Sequence, residues 1–135
     1  GPAGLAEVEA GLRQWLELAS AALDGVSVPG VADALHAARS LLARAGRTDD
    51  PVRVAELLLE AGDRLRETTP TAVARRLIRQ VERALTTREA PDDRAGQVAR
   101  RRAERLLRGA RQALSEGDPV LAIRRAYYAR QLLGL

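Results

Sequence analysis

The sequence predicts an all-α fold of about six antiparallel amphipathic helices, packed as a bundle or a short hairpin array. Three observations predict it. Leu, Val and Ala recur every three or four residues along most of the chain. The stretches between these segments are short and carry Gly, Pro and Asp at helix-start and helix-stop positions. The core has no Phe or Met to draw on, so it is built from Leu, Val and Ala, and small alanines let helices approach closely. That suits a tight bundle better than a roomy ligand cavity.

The first helix is expected from about Gly4 to Asp24. Leu5, Val8, Leu12, Trp15, Leu16, Ala19 and Leu23 form its apolar stripe. Gly25 and Pro29-Gly30 break it. The second runs from about Val31 to Ala45, with Val31, Ala34, Leu35, Ala38, Leu41, Leu42 and Ala45 on one face and Gly46 as its stop. Asp49-Asp50-Pro51 starts the third. An Asp caps free N–H groups, and Pro at the first helical position loses no hydrogen bond. This helix is expected to bury Val54, Ala55, Leu58, Ala61 and Leu65 and to show Arg53, Glu56, Glu60 and Asp63 to water.

Thr69-Pro70 repeats the cap-and-proline signal. The fourth helix follows to about Thr87, with Val73, Leu77, Val81, Ala84 and Leu85 inward. Ala90-Pro91-Asp92 separates it from the fifth, expected from about Asp92 to Glu116. Such a rod would be about 37 Å long at 1.5 Å per residue. Ala95-Gly96 is its weak point, so the ordered helix is also readable as starting nearer Gln97. Its apolar arc is Val98, Ala99, Ala103, Leu106, Leu107, Ala110, Ala113 and Leu114. Gly117-Asp118-Pro119 joins a stop to a start. The sixth helix, Val120 to Leu133, is apolar nearly all round, as expected of a central helix or one covered by a partner. Its adjacent Tyr127 and Tyr128 point about 100° apart, so only one of them belongs in the core. Periodicity turns Tyr127 inward, with Trp15 of the first helix.

At 135 residues the chain has the length of a single helical domain, residues 3–135. Gly1-Pro2 has the look of a tag scar, and the absence of an initiator Met suggests an excised or mature part of a longer protein. Asp50-Pro51-Val52 returns as Asp118-Pro119-Val120, a shift of 68. Ala38-Arg39-x-x-Leu42 returns as Ala110-Arg111-x-x-Leu114, a shift of 72. Such shifts suit two pseudo-repeats of a three-helix unit, 3–68 and 69–135. The alternative is that Asp-Pro starts and Ala/Leu-rich helices align by coincidence.

The stretch from Ala103 to Leu133 joins two helices through Gly117-Asp118-Pro119. It sets Leu107, Ala110, Leu114, Ala122, Ala126 and Ala129 where they would pack. This stretch resembles the αα-hairpins of tetratricopeptide repeats. It covers less than a quarter of the chain, and neither the family's aromatic positions nor its 34-residue period is sustained. The resemblance implies a protein-interaction scaffold.

The chemistry-bearing residues are few. With no cysteine there are no disulfides, thiolate metal sites or thiol nucleophiles, and the compartment is unreadable. No segment approaches the apolar length of a membrane span, so membrane insertion of this chain is not expected. His36, the one histidine, shares a face with Asp33 and Ser40, the pattern of any solvated helix face. Glu56, Glu60 and Asp63 form an acidic stripe without the Glu-x-x-His motif that di-metal bundles use. Phosphate-cradling glycine loops and nucleophile elbows are absent. The expectation is therefore a non-catalytic domain with no cofactor and no metal.

Surface charge is the strongest signal. Residues 1–74 carry 7 Arg and 11 Asp/Glu, a balance of −4, whereas residues 75–135 carry 15 Arg and 7 Asp/Glu, a balance of +8. Every basic residue is arginine, which coding bias explains without any selection for guanidinium groups. On the fourth helix Arg75, Arg76, Arg79 and Arg83 share a polar arc. On the fifth, Arg94, Arg101, Arg105 and Arg108 fall on one side, with Arg100 and Arg111 beside them. Neighbouring antiparallel helices would merge the two rows into one basic patch. Guanidinium groups suit both phosphates and carboxylates. Two functions follow: an interaction or scaffold domain making protein contacts or self-assembling, with Tyr128 exposed to a partner, or a helical nucleic-acid binder. The first is preferred, because no DNA- or RNA-binding motif is visible and aromatic stacking platforms are scarce. An ordinary solvated surface accounts for the same arginines without either.

Overall fold

The computed structural model describes residues 2–135; Gly1, half of the expected scar, lies outside them, and Pro2 opens the first helix. The helices are α1 (Pro2–Ala22), α2 (Val31–Gly46), α3 (Pro51–Arg66), α4 (Pro70–Thr87), α5 (Arg94–Ser115) and α6 (Pro119–Leu132). No strand occurs among the described residues. The chain divides into two compact units, one ending at Thr69 and the other Pro70–Leu135, each of three helices. In each unit the most extensive packing is between the last two helices.

In the first unit, Asp50 caps α3 by accepting from the Val52 N–H at 3.1 Å, with Pro51 at the first helical position. α2 has no such side-chain cap: Gly30, at φ 85°, supplies the turn instead, a conformation only glycine adopts cheaply. Leu16, Leu41, Leu42, Leu57, Leu58 and Leu65 form the core together with Ala38, Ala45 and Ala61. Leu57 is buried although the expected face of α3 omitted it, because α3 packs against both α1 and α2 and so buries a wider arc. Arg13 donates to the Leu42 carbonyl at 3.0 Å and pairs with Glu9 at 3.0 Å, tying α1 to the C-terminal turn of α2. Thr68 is fully buried, its hydroxyl donating to the Leu65 carbonyl at 2.8 Å.

In the second unit, α5 starts at Arg94, not near Gln97. The Asp93 carboxylate accepts from the Gly96 N–H at 2.9 Å, so the weak Ala95-Gly96 step is held by its cap. Asp118 caps α6 through the Leu121 N–H at 3.1 Å. α6 is the middle of this unit: it packs on both α4 and α5, burying Ala122, Ile123, Ala126 and Ala129. Its apolar residues do not all go inward. Leu121, Tyr127, Leu132 and Leu133 are half-buried, and Val120 and Tyr128 are exposed. Two neighbours cover two sides of a helix, and the third side stays open.

Candidate interaction surfaces

Two surfaces stand out, one in each unit. The first lies between α1 and α3. The expected α1 stripe is only partly sealed: Leu16, Ala19 and Leu23 are buried, Leu5, Leu12 and Trp15 pack against the core but stay half-buried, and Val8 is 51% exposed. The half-buried residues and Val8 form one wall of an apolar groove of about 400 Å³, with Ala55, Leu58 and Leu59 as the other. Leu59 stands 71% exposed on its rim. Gly62 lies in the groove, where a Cβ would meet Leu12 Cδ2 at 3.7 Å. The groove opens because α1 shares a closer seam with α3 than with α2 yet carries an apolar stripe wider than one seam covers.

Charged residues border that groove. Arg66 lines its end, while Glu56 and Asp63 lie one turn either side of Leu59, and Glu7 adjoins Val8. Glu56 pairs with Arg53 at 3.0 Å and Asp63 with Arg66 at 2.9 Å. Both pairs are exposed, and such pairs hold their carboxylates weakly. Glu60 is exposed on the same helix.

The second surface is the arginine field of the Pro70–Leu135 unit. It is not one merged patch but is parted among three grooves. Arg75, Arg79 and Glu82 of α4 face Arg111 of α5 across the seam, and Arg111 pairs with Glu82 at 3.1 Å. Arg83 lies instead in the α4/α6 groove with Arg88 and Arg130. The cause is helical drift. Steps of four residues overshoot a 3.6-residue turn by about 40° each, so Arg83 has turned away from the seam that Arg75 faces. Arg76 is half-buried where its three companions are exposed.

On α5, Arg94, Arg101, Arg105 and Arg108 are all exposed, on the side away from buried Ala103, Leu107 and Ala110. Arg105 and Arg108 also line the α5/α6 groove, about 570 Å³, with Arg102, Gln112 and Arg125. Arg102 and Arg125 went unnoticed in the sequence. Arg125 is half-buried and donates to the Gly109 carbonyl at 2.9 Å, a tie that crosses the hairpin. Glycine makes this possible, since a Cβ at position 109 would stand 3.2 Å from Arg125 Cδ. The one available signal was a glycine inside a strong helix pattern, which marks a close approach. Arg100, by contrast, is spent inside the unit, on the Leu85 carbonyl at 2.6 Å and on Glu104 at 3.5 Å.

Tyr128 is 58% exposed, its ring edge-on to that of half-buried Tyr127 with centroids 6.5 Å apart. It borders a separate groove of about 440 Å³ with Arg102, Leu106 and Leu132. His36 is exposed, and among the described residues no three His, Cys, Asp or Glu side chains gather as metal ligands would. No described helix is long and apolar enough to cross a membrane. Compared with protein-family models, with curated proteins and with solved structures, the chain matches none.

Proposed function

We propose that the protein is a non-catalytic scaffold that associates head to tail, the α1/α3 groove of one copy receiving the Tyr128 face of another. The observation that carries this reading is the open apolar groove itself, where Val8, Leu59 and Trp15 keep apolar surface in water. The occupant follows from charge and shape. The unit bearing the groove has a balance of −4, from 7 Arg and 11 Asp/Glu in residues 1–69. The unit bearing Tyr128 has a balance of +8, from 15 Arg and 7 Asp/Glu in residues 70–135. Tyr128 is the large aromatic the chain exposes, and it sits beside Arg102 and exposed Arg124. An aromatic anchor entering an apolar pocket, ringed by opposite charges, is the arrangement that concentrates binding energy at interfaces. The tetratricopeptide-like style of the α5–α6 hairpin belongs with the same reading. Because groove and knob are different surfaces, the contact is heterologous and repeats from copy to copy.

Light scattering over a concentration series tests it. The wild-type mass rises with concentration, and the emission of Trp15, the sole tryptophan, shifts to shorter wavelength as the groove fills. Leu59→Glu and Tyr128→Glu are each monomeric alone. Mixed together they form a one-to-one pair, since each retains the surface the other lacks. A wild type that stays monomeric overturns the proposal. So does a mixture that fails to pair while the wild type associates.

A further inference from the structure

We infer that the outer face of α5, together with the α5/α6 groove, binds the phosphate backbone of duplex nucleic acid without reading its sequence. The inference rests on the arginine geometry of the second unit and is independent of the apolar groove in the first.

Three features carry it. The first is uncompensated charge. Arg101, Arg102, Arg105 and Arg108 are exposed and make no ion pair among the described residues, and no carboxylate lines the groove that Arg102, Arg105 and Arg108 share. The second is reach. Arg94, Arg101, Arg105 and Arg108 extend along about 21 Å of helix at 1.5 Å per residue. Over that length a duplex presents roughly a dozen charges, at one per 1.7 Å. The third is preorganisation. The Gly109 carbonyl holds Arg125 across the hairpin at 2.9 Å, so one guanidinium is placed in the groove before any ligand arrives.

The shape of the surface selects the ligand. The groove is wide and open, so a small phosphate compound would stay largely in water there, where its charge is screened. An extended polyanion meets the guanidinium groups in succession and releases counterions at each. The groove that holds Arg105, Arg108 and Arg125 is lined by no aromatic ring, and exposed Tyr128, in the adjoining groove with Arg102, offers one stacking platform where a single strand needs a succession of them, which favours a duplex held by its backbone. An acidic protein is the poorer fit. Protein interfaces draw most of their energy from buried apolar and aromatic anchors, and the Arg94–Arg108 row offers Val98, 39% exposed, and no aromatic ring. Phosphate contact requires only charge and fork geometry, and it fixes no sequence.

Fluorescence anisotropy with the full chain and a mixed-sequence DNA duplex of about 20 base pairs tests this, read over a salt series. Binding is expected at low salt, with the logarithm of affinity falling against the logarithm of salt at a slope between about −3 and −5. Arg105→Gln and Arg108→Gln should each weaken binding roughly tenfold near 0.1 M salt and take about one unit from the slope. The double variant Arg105→Glu/Arg108→Glu should abolish binding with an unchanged circular dichroism spectrum, both sites being exposed. Arg39→Gln, in the first unit, should bind as wild type does. Absence of binding at low salt overturns the inference, as does binding indifferent to the α5 variants. Tighter binding to polyglutamate or to a single strand than to the duplex overturns the choice of ligand. Should Leu59→Glu abolish association yet leave DNA binding intact, the two surfaces are shown to act separately.

Discussion

The two units contain three helices each, but they seal their cores with different residues. Among the described residues, seven leucines are buried in the first unit and two in the second. The second buries eight alanines where the first buries five. Helix axes stand about 8–10 Å apart according to the side chains at the contact. Larger side chains favour the wide end of that range, and the open α1/α3 groove lies along the leucine-built unit. Small alanines favour closer approach, and arginines reach backbone across the second unit's seams twice, Arg125 to the Gly109 carbonyl and Arg100 to that of Leu85, as Arg13 does to that of Leu42 in the first. The first unit thus offers the more exposed apolar side chains in a negative field, and the second offers fixed cations with Tyr128 as its most exposed apolar side chain among the described residues. Composition of the seam decides the kind of surface left outside it.

The comparison breaks most readily at the cores. Leu42 is fully buried in the leucine cluster, and Leu42→Ala should destabilise by about 2–5 kcal/mol, through lost transfer energy and the cavity left behind. Urea unfolding followed by circular dichroism reads the loss. Ala126 is fully buried in α6, between α4 and α5, and Ala126→Leu should destabilise by about 1–3 kcal/mol from overpacking. The opposite signs of volume change, with loss of stability in both, are what a leucine seam and an alanine seam require. If Ala126→Leu were neutral, the second unit would have slack and its arginine ties would not depend on close approach.

Helix ends give the next, smaller effect. Asp93→Ala removes the acceptor of the Gly96 N–H and should cost about 1 kcal/mol. Its readout includes the field on α5: fraying from Arg94 onward would lower the amide protection of the first turn while leaving that of Leu107 and Ala110 intact in hydrogen exchange. Asp50→Ala in the first unit removes a cap of the same kind on α3 and should cost a similar amount.

These ends were the most legible part of the sequence. Asp50-Pro51 and Asp118-Pro119 placed their helix starts because capping and proline act within one turn, and a local signal needs no knowledge of partners. Asp93 was harder to see, since the glycine at 96 spoke against a helix there and only the capping geometry answers it. The reach of the core was less legible. Periodicity assigns Val8 to a buried stripe, yet whether a stripe residue is covered depends on how extensively its neighbours pack on it, and α1 makes the less extensive seams of its unit. Arg83 was grouped with Arg75 because steps of four look like one face on paper, although their drift carries it to another groove. The pairing of Arg125 with Gly109 links two helices across a turn, so nothing in the local pattern of either residue announces it.

The smallest effect separates the units by their glycines. Gly62 and Gly109 both lie inside helices, where exchange for alanine is worth about 0.5–1 kcal/mol through the entropy of the unfolded chain. At Gly62 the new Cβ would stand 3.7 Å from Leu12 Cδ2, an ordinary contact on the open groove, so Gly62→Ala should raise stability by that full amount. At Gly109 it would stand 3.2 Å from Arg125 Cδ and 3.4 Å from its Nη1. Arg125 must then shift and lengthen its bond to the carbonyl, and a hydrogen bond to a charged group is worth about 1.5–3 kcal/mol when well formed, less where water competes. The propensity gain and the lost tie should nearly cancel, leaving Gly109→Ala close to wild type. Urea midpoints at unchanged m-values measure both variants. Equal gains at the two positions would mean that the Arg125 tie contributes nothing. The same result would detach the position of that guanidinium from the close packing of α5 on α6.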